Sequence, residues 1–287
     1  MVNITLLGTS GLIPLPDRAL TSALLTCNGK SILFDCGEGT QTAAMRVHCS
    51  LINIDIIALT HYHGDHIFGL PGLLQTMFSL GRVKPLYITG PSGLEENMKP
   101  IIILTGKLSF IIFFFHLGGT NQVSEYIADF PKNIRLSAFS TKHRVSSCGY
   151  LFELQRGRQF IPDKAKELDV PVNMWKKIQH GESITIGDMM VTPEMVLGEQ
   201  RKGIKFVFTG DTSPCPSLID AAKEADLMIC EATYGDDNQK DIAIERGHIR
   251  KLISFRPTAD IFSQFLYHSS VAGTVSAFAL VVKMLPY

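Results

Sequence analysis

Six consecutive residues, His61-Tyr62-His63-Gly64-Asp65-His66, carry three imidazoles and a carboxylate. Such a group repels itself when charged and is costly to bury, unless a cation organises it. Imidazole nitrogen and carboxylate oxygen are ligands for Zn²⁺ or a similar first-row ion. His61 and His63 lie two apart, so an extended backbone points both the same way, toward one ion. Gly64 lets the chain turn, and Asp65 and His66 can then reach a second ion beside the first. His143, in Ser140-Thr141-Lys142-His143-Arg144, is the candidate third imidazole for the first ion. Asp211 ends the run Phe206-Val207-Phe208-Thr209-Gly210-Asp211 and is either a carboxylate bridging two ions or a turn or helix-capping residue. Two ions about 3.5–4 Å apart suit displacement at phosphorus, because they ready a water and neutralise charge on the phosphoryl oxygens. In that chemistry Asp65 would orient the water and take its proton. His248 is a candidate proton donor to the leaving oxygen, with Glu231 as a carboxylate to orient it.

These side chains must be held by the elements around them. Apolar runs predict strands over Ile4–Leu7, Ala23–Thr26, Ile32–Phe34, Ile56–Leu59, Leu86–Ile88, Phe110–Phe115, Ile134–Phe139, Tyr150–Leu154, Lys205–Phe208 and Leu227–Ile229. Helices are predicted over Glu38–Val47, Gly69–Leu80, Pro162–Leu168 and Pro216–Ala225. Strands with interspersed helices predict a layered α/β arrangement. The first cluster then follows a strand directly, as do His143 and Asp211.

With 287 residues, 45% of them hydrophobic and 19% charged, the chain has material for a large core and no signature of disorder. Formal net charge is zero, so any polyanion must be met by a local basic surface. One such stretch runs from Gln155 to His180, where six basic residues, among them Lys164, Lys166, Lys176 and Lys177, stand against three acidic ones. Its alternative is an ordinary solvated helix and loop. The six cysteines form no paired motif, which predicts free thiols in a reducing, cytoplasmic compartment. The most apolar stretch, Ile101 to Leu117, is interrupted by Gly106, Lys107 and Ser109, so no membrane span is expected.

In order along the chain, Leu7-Gly8-Thr9-Ser10, Asp35-Cys36-Gly37-Glu38-Gly39-Thr40-Gln41, the 61–66 cluster with Gly69-Leu70-Pro71-Gly72-Leu73, His143-Arg144, Phe208-Thr209-Gly210-Asp211-Thr212 and Glu231-Ala232-Thr233 resemble the metallo-β-lactamase superfamily. Within it they resemble the ribonuclease Z family, endonucleases that trim tRNA 3′ ends. The resemblance covers roughly residues 1 to 248 and implies a four-layer αββα sandwich, assembled as a homodimer. It implies two zinc ions per subunit, one on His61, His63 and His143 and one on Asp65, His66 and a C-terminal histidine, with Asp211 bridging. It further implies hydrolysis of precursor tRNA to leave a 3′-hydroxyl, and a protruding basic arm that clamps the tRNA. A single domain over 1–287 is expected, with the arm at about 155–182 and an atypical tail at 249–287.

The sequence departs from the family's pattern in places. The loop Pro14-Leu15-Pro16-Asp17-Arg18-Ala19 keeps Arg18, a candidate substrate contact, and loses a lysine and an asparagine. Cys230 stands where a histidine is expected. After His248 the family's pattern is lost, and His268 is the candidate for the last ligand. The competing expectations are a small-molecule phosphodiesterase or other hydrolase of the same superfamily, and a catalytically impaired tRNA-binding homologue with an altered tail.

Overall fold

The computed structural model describes residues 1–117 and 123–232, together with the strands Phe265–Leu266 and Ala277–Val282. It divides into two compact units, Met1–Phe152 with Lys205–Tyr287, and Glu153–Ile204.

The larger unit is built on one sheet. Its strands lie in the order Ile112–Phe115, Leu86–Thr89, Ile56–Ala58, Lys30–Phe34, Ser22–Cys27, Val2–Ser10, Ala277–Val282, Leu227–Ala232, Ile204–Phe208, Cys148–Leu154, Ile134–Ser140. Ser22–Cys27 and Lys30–Phe34 form a tight antiparallel hairpin. The two residues between them, Asn28 and Gly29, both have positive φ (50° and 77°), as a primed turn demands. From Lys30–Phe34 to Ile112–Phe115 all neighbours are parallel, and each crossover carries helix. Among the described residues Ile112–Phe115 has a neighbour on one side only.

Period-two burial shows how the sheet becomes a sandwich. In Lys30–Phe34, Leu33 faces the helices Leu70–Ser79 and Leu94–Thr105, where it packs in one cluster with Leu73, Leu74, Met98 and Ile101. Phe34 points the opposite way and meets the other half of the sheet, with Phe208 at 5.2 Å, Phe206 at 5.6 Å and Tyr150 at 5.8 Å between ring centroids. In Ile204–Phe208 the pattern repeats: Phe206 and Phe208 face Phe34, whereas Val207 packs outward on Leu218 and Ala222 of the helix Pro216–Ala222. Each half is therefore covered by helix outside and by the other half inside, which is the expected four-layer αββα arrangement. Each buried aromatic of that interior stabilises the fold by roughly 1.5–3 kcal/mol.

Every predicted strand and all four predicted helices are present. Among the described residues two helices longer than a single turn escape prediction, Leu94–Thr105 with Pro100 inside it, and Val172–Gln179. The apolar tail, for which no element was predicted, supplies Ala277–Val282, which pairs antiparallel with both Val2–Ser10 and Leu227–Ala232. All six cysteines are free.

The smaller unit has its own core, in which Ala165, Val170, Ile178, Ile184, Val191, Val196 and Leu197 gather with Phe160 and Trp175. This unit runs from Glu153 to Ile204. The hairpin Ile184–Ile186/Met189–Val191 supplies part of that core, so the basic helices alone would leave Ala165 and Ile178 uncovered.

Candidate metal centre

The loops that leave the C-terminal ends of three strands meet at one place. After Ile56–Ala58 the backbone stays extended through His63 (φ −66°, ψ 150°) and then coils into the one-turn helix Gly64–Ile67. His61 and His63 accordingly point together, with His61 Nε2 2.9 Å from His63 Nδ1. His143 Nε2, from the loop after Ile134–Ser140, lies 3.3 Å from the same His63 Nδ1. Asp211 arrives after Ile204–Phe208 and places Oδ2 3.8 Å from His61 Nε2. The donor atoms of His61, His63, His143 and Asp211 all lie within 4.8 Å of one another.

The other Asp211 oxygen, Oδ1, stands 3.4 Å from His66 Nε2, and Asp65 Oδ2 stands 3.7 Å from that nitrogen. Asp65 is oriented by the Leu12 backbone N–H, which donates to Oδ2 at 3.0 Å. The structure therefore brings together His61, His63, Asp65, His66, His143 and Asp211, with one Asp211 oxygen toward each side of the cluster.

These residues fit a metal ion. Four donors at about 2.0–2.1 Å in a tetrahedron lie about 3.3 Å apart, and the nitrogen–nitrogen spacings here are close to that value. His66 Nε2 is buried and makes no hydrogen bond, a cost that a cation would remove. Burial pushes His61 well down, and it also lowers His63 against the pull of Asp211 and Asp65, so both imidazoles are neutral, the form that binds metal. For His66, burial opposes the charge, but Asp211 and then Asp35 outweigh it and hold the ring well above its ordinary value.

Asp35 carries no role among the expectations from sequence, although it opens the Asp-Cys-Gly-Glu run. It is fully buried beyond the end of Lys30–Phe34, with φ at +54°. Its Oδ2 lies 2.7 Å from His66 Nδ1 and accepts the Thr60 hydroxyl at 2.8 Å, while Oδ1 accepts the Thr60 N–H at 2.7 Å. The Thr60 hydroxyl also lies 3.1 Å from His61 Nδ1. A single carboxylate thus fixes the rings of His61 and His66 through their far nitrogens and leaves both Nε2 atoms facing the cluster. The approach is close: a Cβ at Gly37 would meet Asp65 O at 2.4 Å, and one at Gly69 would meet Gly37 O at 2.1 Å. Asp35→Asn should weaken metal binding about 10–100-fold, read by competition with a chromophoric chelator. An unchanged affinity would show that Asp35 does not hold the ligand ring.

Glu231 is buried, and its Oε1 accepts the Thr212 N–H at 2.6 Å, which holds the turn that carries Asp211. Arg18 is half-buried, with Nη1 lacking a hydrogen bond, and lines a cavity of about 430 Å³ with Glu38 and Arg46. Lys164, Lys166, Lys176 and Lys177 are exposed on the smaller unit, where Lys166 pairs with Asp163 at 3.2 Å. His248 and His268 lie outside the described residues.

The chain is similar to named relatives over most of its length. It is 42% identical over 272 residues to "Ribonuclease Z" of Lachnospira eligens, covering 94% of this chain and 88% of that protein. Against "Ribonuclease Z" of Lachnoclostridium phytofermentans it is 40% identical over 252 residues, covering 87% and 80%. Among solved structures, human tRNase Z, short form, superposes with a TM-score of 0.58 at 29% identity, over 87% of this chain and 85% of that one. The metallo-β-lactamase fold protein YhfI of Bacillus subtilis superposes with a TM-score of 0.57 at 19% identity, over 88% and 78%, which shows the shared fold. A family profile described as "Anti-Pycsar protein Apyc1" matches residues 2–109. With identities of this size sustained across both halves of the sandwich, the chain belongs to the ribonuclease Z family.

Proposed function

We propose that the chain is a zinc-dependent endoribonuclease that hydrolyses precursor tRNA at its 3′ end, removing the trailer and leaving a 3′-hydroxyl. The observation that carries this reading is the convergence of His61, His63, Asp65, His66, His143 and Asp211 from distant segments in a ribonuclease Z chain. His61, His63 and His143 would hold one zinc, and Asp65, His66 and His268 the other, with Asp211 between them. When bound, the pair of ions supplies charge that binds the phosphate and acidifies a water. Asp65 accepts that water's proton, its carboxylate kept in place by the Leu12 N–H. His248 gives a proton to the leaving oxygen. Glu231, bonded to Thr212, keeps Asp211 in position.

Arg18 and the lysines of the smaller unit contact tRNA phosphates. Reversing the charge of Lys164, Lys166, Lys176 and Lys177 together should weaken tRNA binding at least about tenfold and flatten its salt dependence, since each lost phosphate contact removes a released counterion. Binding curves unchanged across a salt series would assign those lysines to plain solvated surface. Work as a homodimer in the cytoplasm is part of the same reading. Among the described residues no helix is long and apolar enough to cross a membrane.

The decisive experiment offers the protein a 3′-extended tRNA precursor and, separately, a small phosphodiester, with metal content measured alongside. The expected result is a single cut at the tRNA 3′ end and two equivalents of zinc. Hydrolysis of the small ester alone would make this a small-molecule phosphodiesterase.

A further inference from the structure

Phe68 caps the one-turn helix Gly64–Ile67, two residues beyond His66. Its N–H donates to Gly64 O at 2.9 Å, and its ring rests on Gly64 itself, where a Cβ would meet ring carbons at 2.4–3.0 Å. The Phe68 ring therefore lies directly on the backbone between His63 and Asp65, which presents the cluster. Yet Phe68 is 67% exposed. Leu12 and Ile13 are exposed to 67% and 62%, and the Leu12 backbone N–H donates to the Asp65 carboxylate. Leu12 has a φ of 60°, a strain that persists only where the surroundings impose it, and the Ser10 hydroxyl on Ile13 O (2.7 Å) is part of that restraint. Phe68 thus lies against Gly64, the residue before Asp65, the Leu12 backbone reaches the Asp65 carboxylate, and all three apolar side chains are exposed.

We infer that Phe68 is a stacking platform for a nucleobase adjoining the scissile phosphate. The inference rests on the proposed function and names how that site receives its substrate. A phosphate seated at the His and Asp cluster would have a flanking base to offer to Phe68, which follows His66 by two residues and packs on Gly64. Bases in an unpaired tail are free to splay onto an aromatic ring, and every base offers a π-face, so one platform serves many sequences.

The test uses the metal-loaded enzyme and precursor tRNAs that are natural, abasic, or 2-aminopurine-labelled at the nucleotide on either side of the cleaved bond. At one of the two positions the abasic substrate should lower kcat/KM of the wild type about 10–100-fold, the range of stacking on an aromatic. Phe68→Ala should lose as much on the natural substrate and nothing further on the abasic one, and Phe68→Tyr should recover most of it. Bound 2-aminopurine at that position should be quenched by the wild type and not by Phe68→Ala. Losses that multiply, equal fluorescence in the two proteins, or a Phe68→Ala protein that changes oligomeric state in light scattering would each overturn the inference. A wild type that binds the tRNA without cutting it counts against the proposed function alone, because the fluorescence comparison still decides on Phe68.

Discussion

Replacing Asp65 with alanine is expected to lower the rate of precursor-tRNA cleavage by about 10⁴-fold, the upper end of what a positioned proton acceptor contributes, while tRNA affinity stays within about threefold. The geometry sets this asymmetry. Asp65 Oδ2 is held by the Leu12 N–H at 3.0 Å and stands 3.7 Å from His66 Nε2, so its carboxylate lies at the His and Asp cluster. The exposed lysines proposed to bind tRNA are on the other unit, Glu153–Ile204. Single-turnover rates and filter-binding constants for the same variant check the prediction. A matching loss of rate and affinity would mean that Asp65 organises the binding surface as a whole rather than the proton transfer.

Arg82 should prove the most costly substitution for stability outside the metal centre. Its side chain is almost wholly buried, and all three nitrogens donate to backbone carbonyls: Nε to Lys84 at 2.9 Å, Nη1 to Ile52 and Ile54 at 2.7 and 2.8 Å, and Nη2 to Pro85. The guanidinium also lies 5.3 Å above the centre of the Phe110 ring. Burial draws its pKa down to about 10, so it stays charged at neutral pH. Those carbonyls belong to the segments that lead into the parallel strands Ile56–Ala58 and Leu86–Thr89, and Arg82 ties the beginnings of these two strands together. Arg82→Met fills the space but leaves four acceptors without donors, at about 3 kcal/mol or more. The expected fall in melting temperature is roughly 5–10 °C. Arg82→Lys should recover little of it, because one ammonium cannot reproduce the planar fork. A shift below about 2 °C for the methionine variant would show that water rescues the carbonyls.

How much of this could be read before any coordinates depends on how local each signal is. The strands announce themselves through runs such as Ile32–Phe34 and Phe206–Phe208, because both faces of each strand are buried and nearly every residue must be apolar. The first cluster is legible for the same reason, since its ligands are packed into six positions. The helix Leu94–Thr105 is hidden by Pro100, although its buried residues Leu94, Met98, Ile101 and Thr105 follow helical spacing throughout. Asp35 and Thr60 are single polar residues at strand ends, and their meaning appears only when His66 is brought onto them. Arg82 looks like one surface cation among many until its four carbonyls are seen. His143 and Asp211 could be suspected only because the cluster needed further ligands.

The strand Ile112–Phe115, outermost in the sheet among the described residues, has a consequence for how the protein keeps company with itself. From Leu108 to Leu117 the chain holds no lysine, arginine, aspartate or glutamate, and Ile111 and Phe113 are exposed. Unpaired amides alternating along such a segment form a template that another chain can copy. In a crowded solution, or on warming, coalescence should therefore begin at this margin, and the yield of dissolved protein would be governed by the outermost described strand.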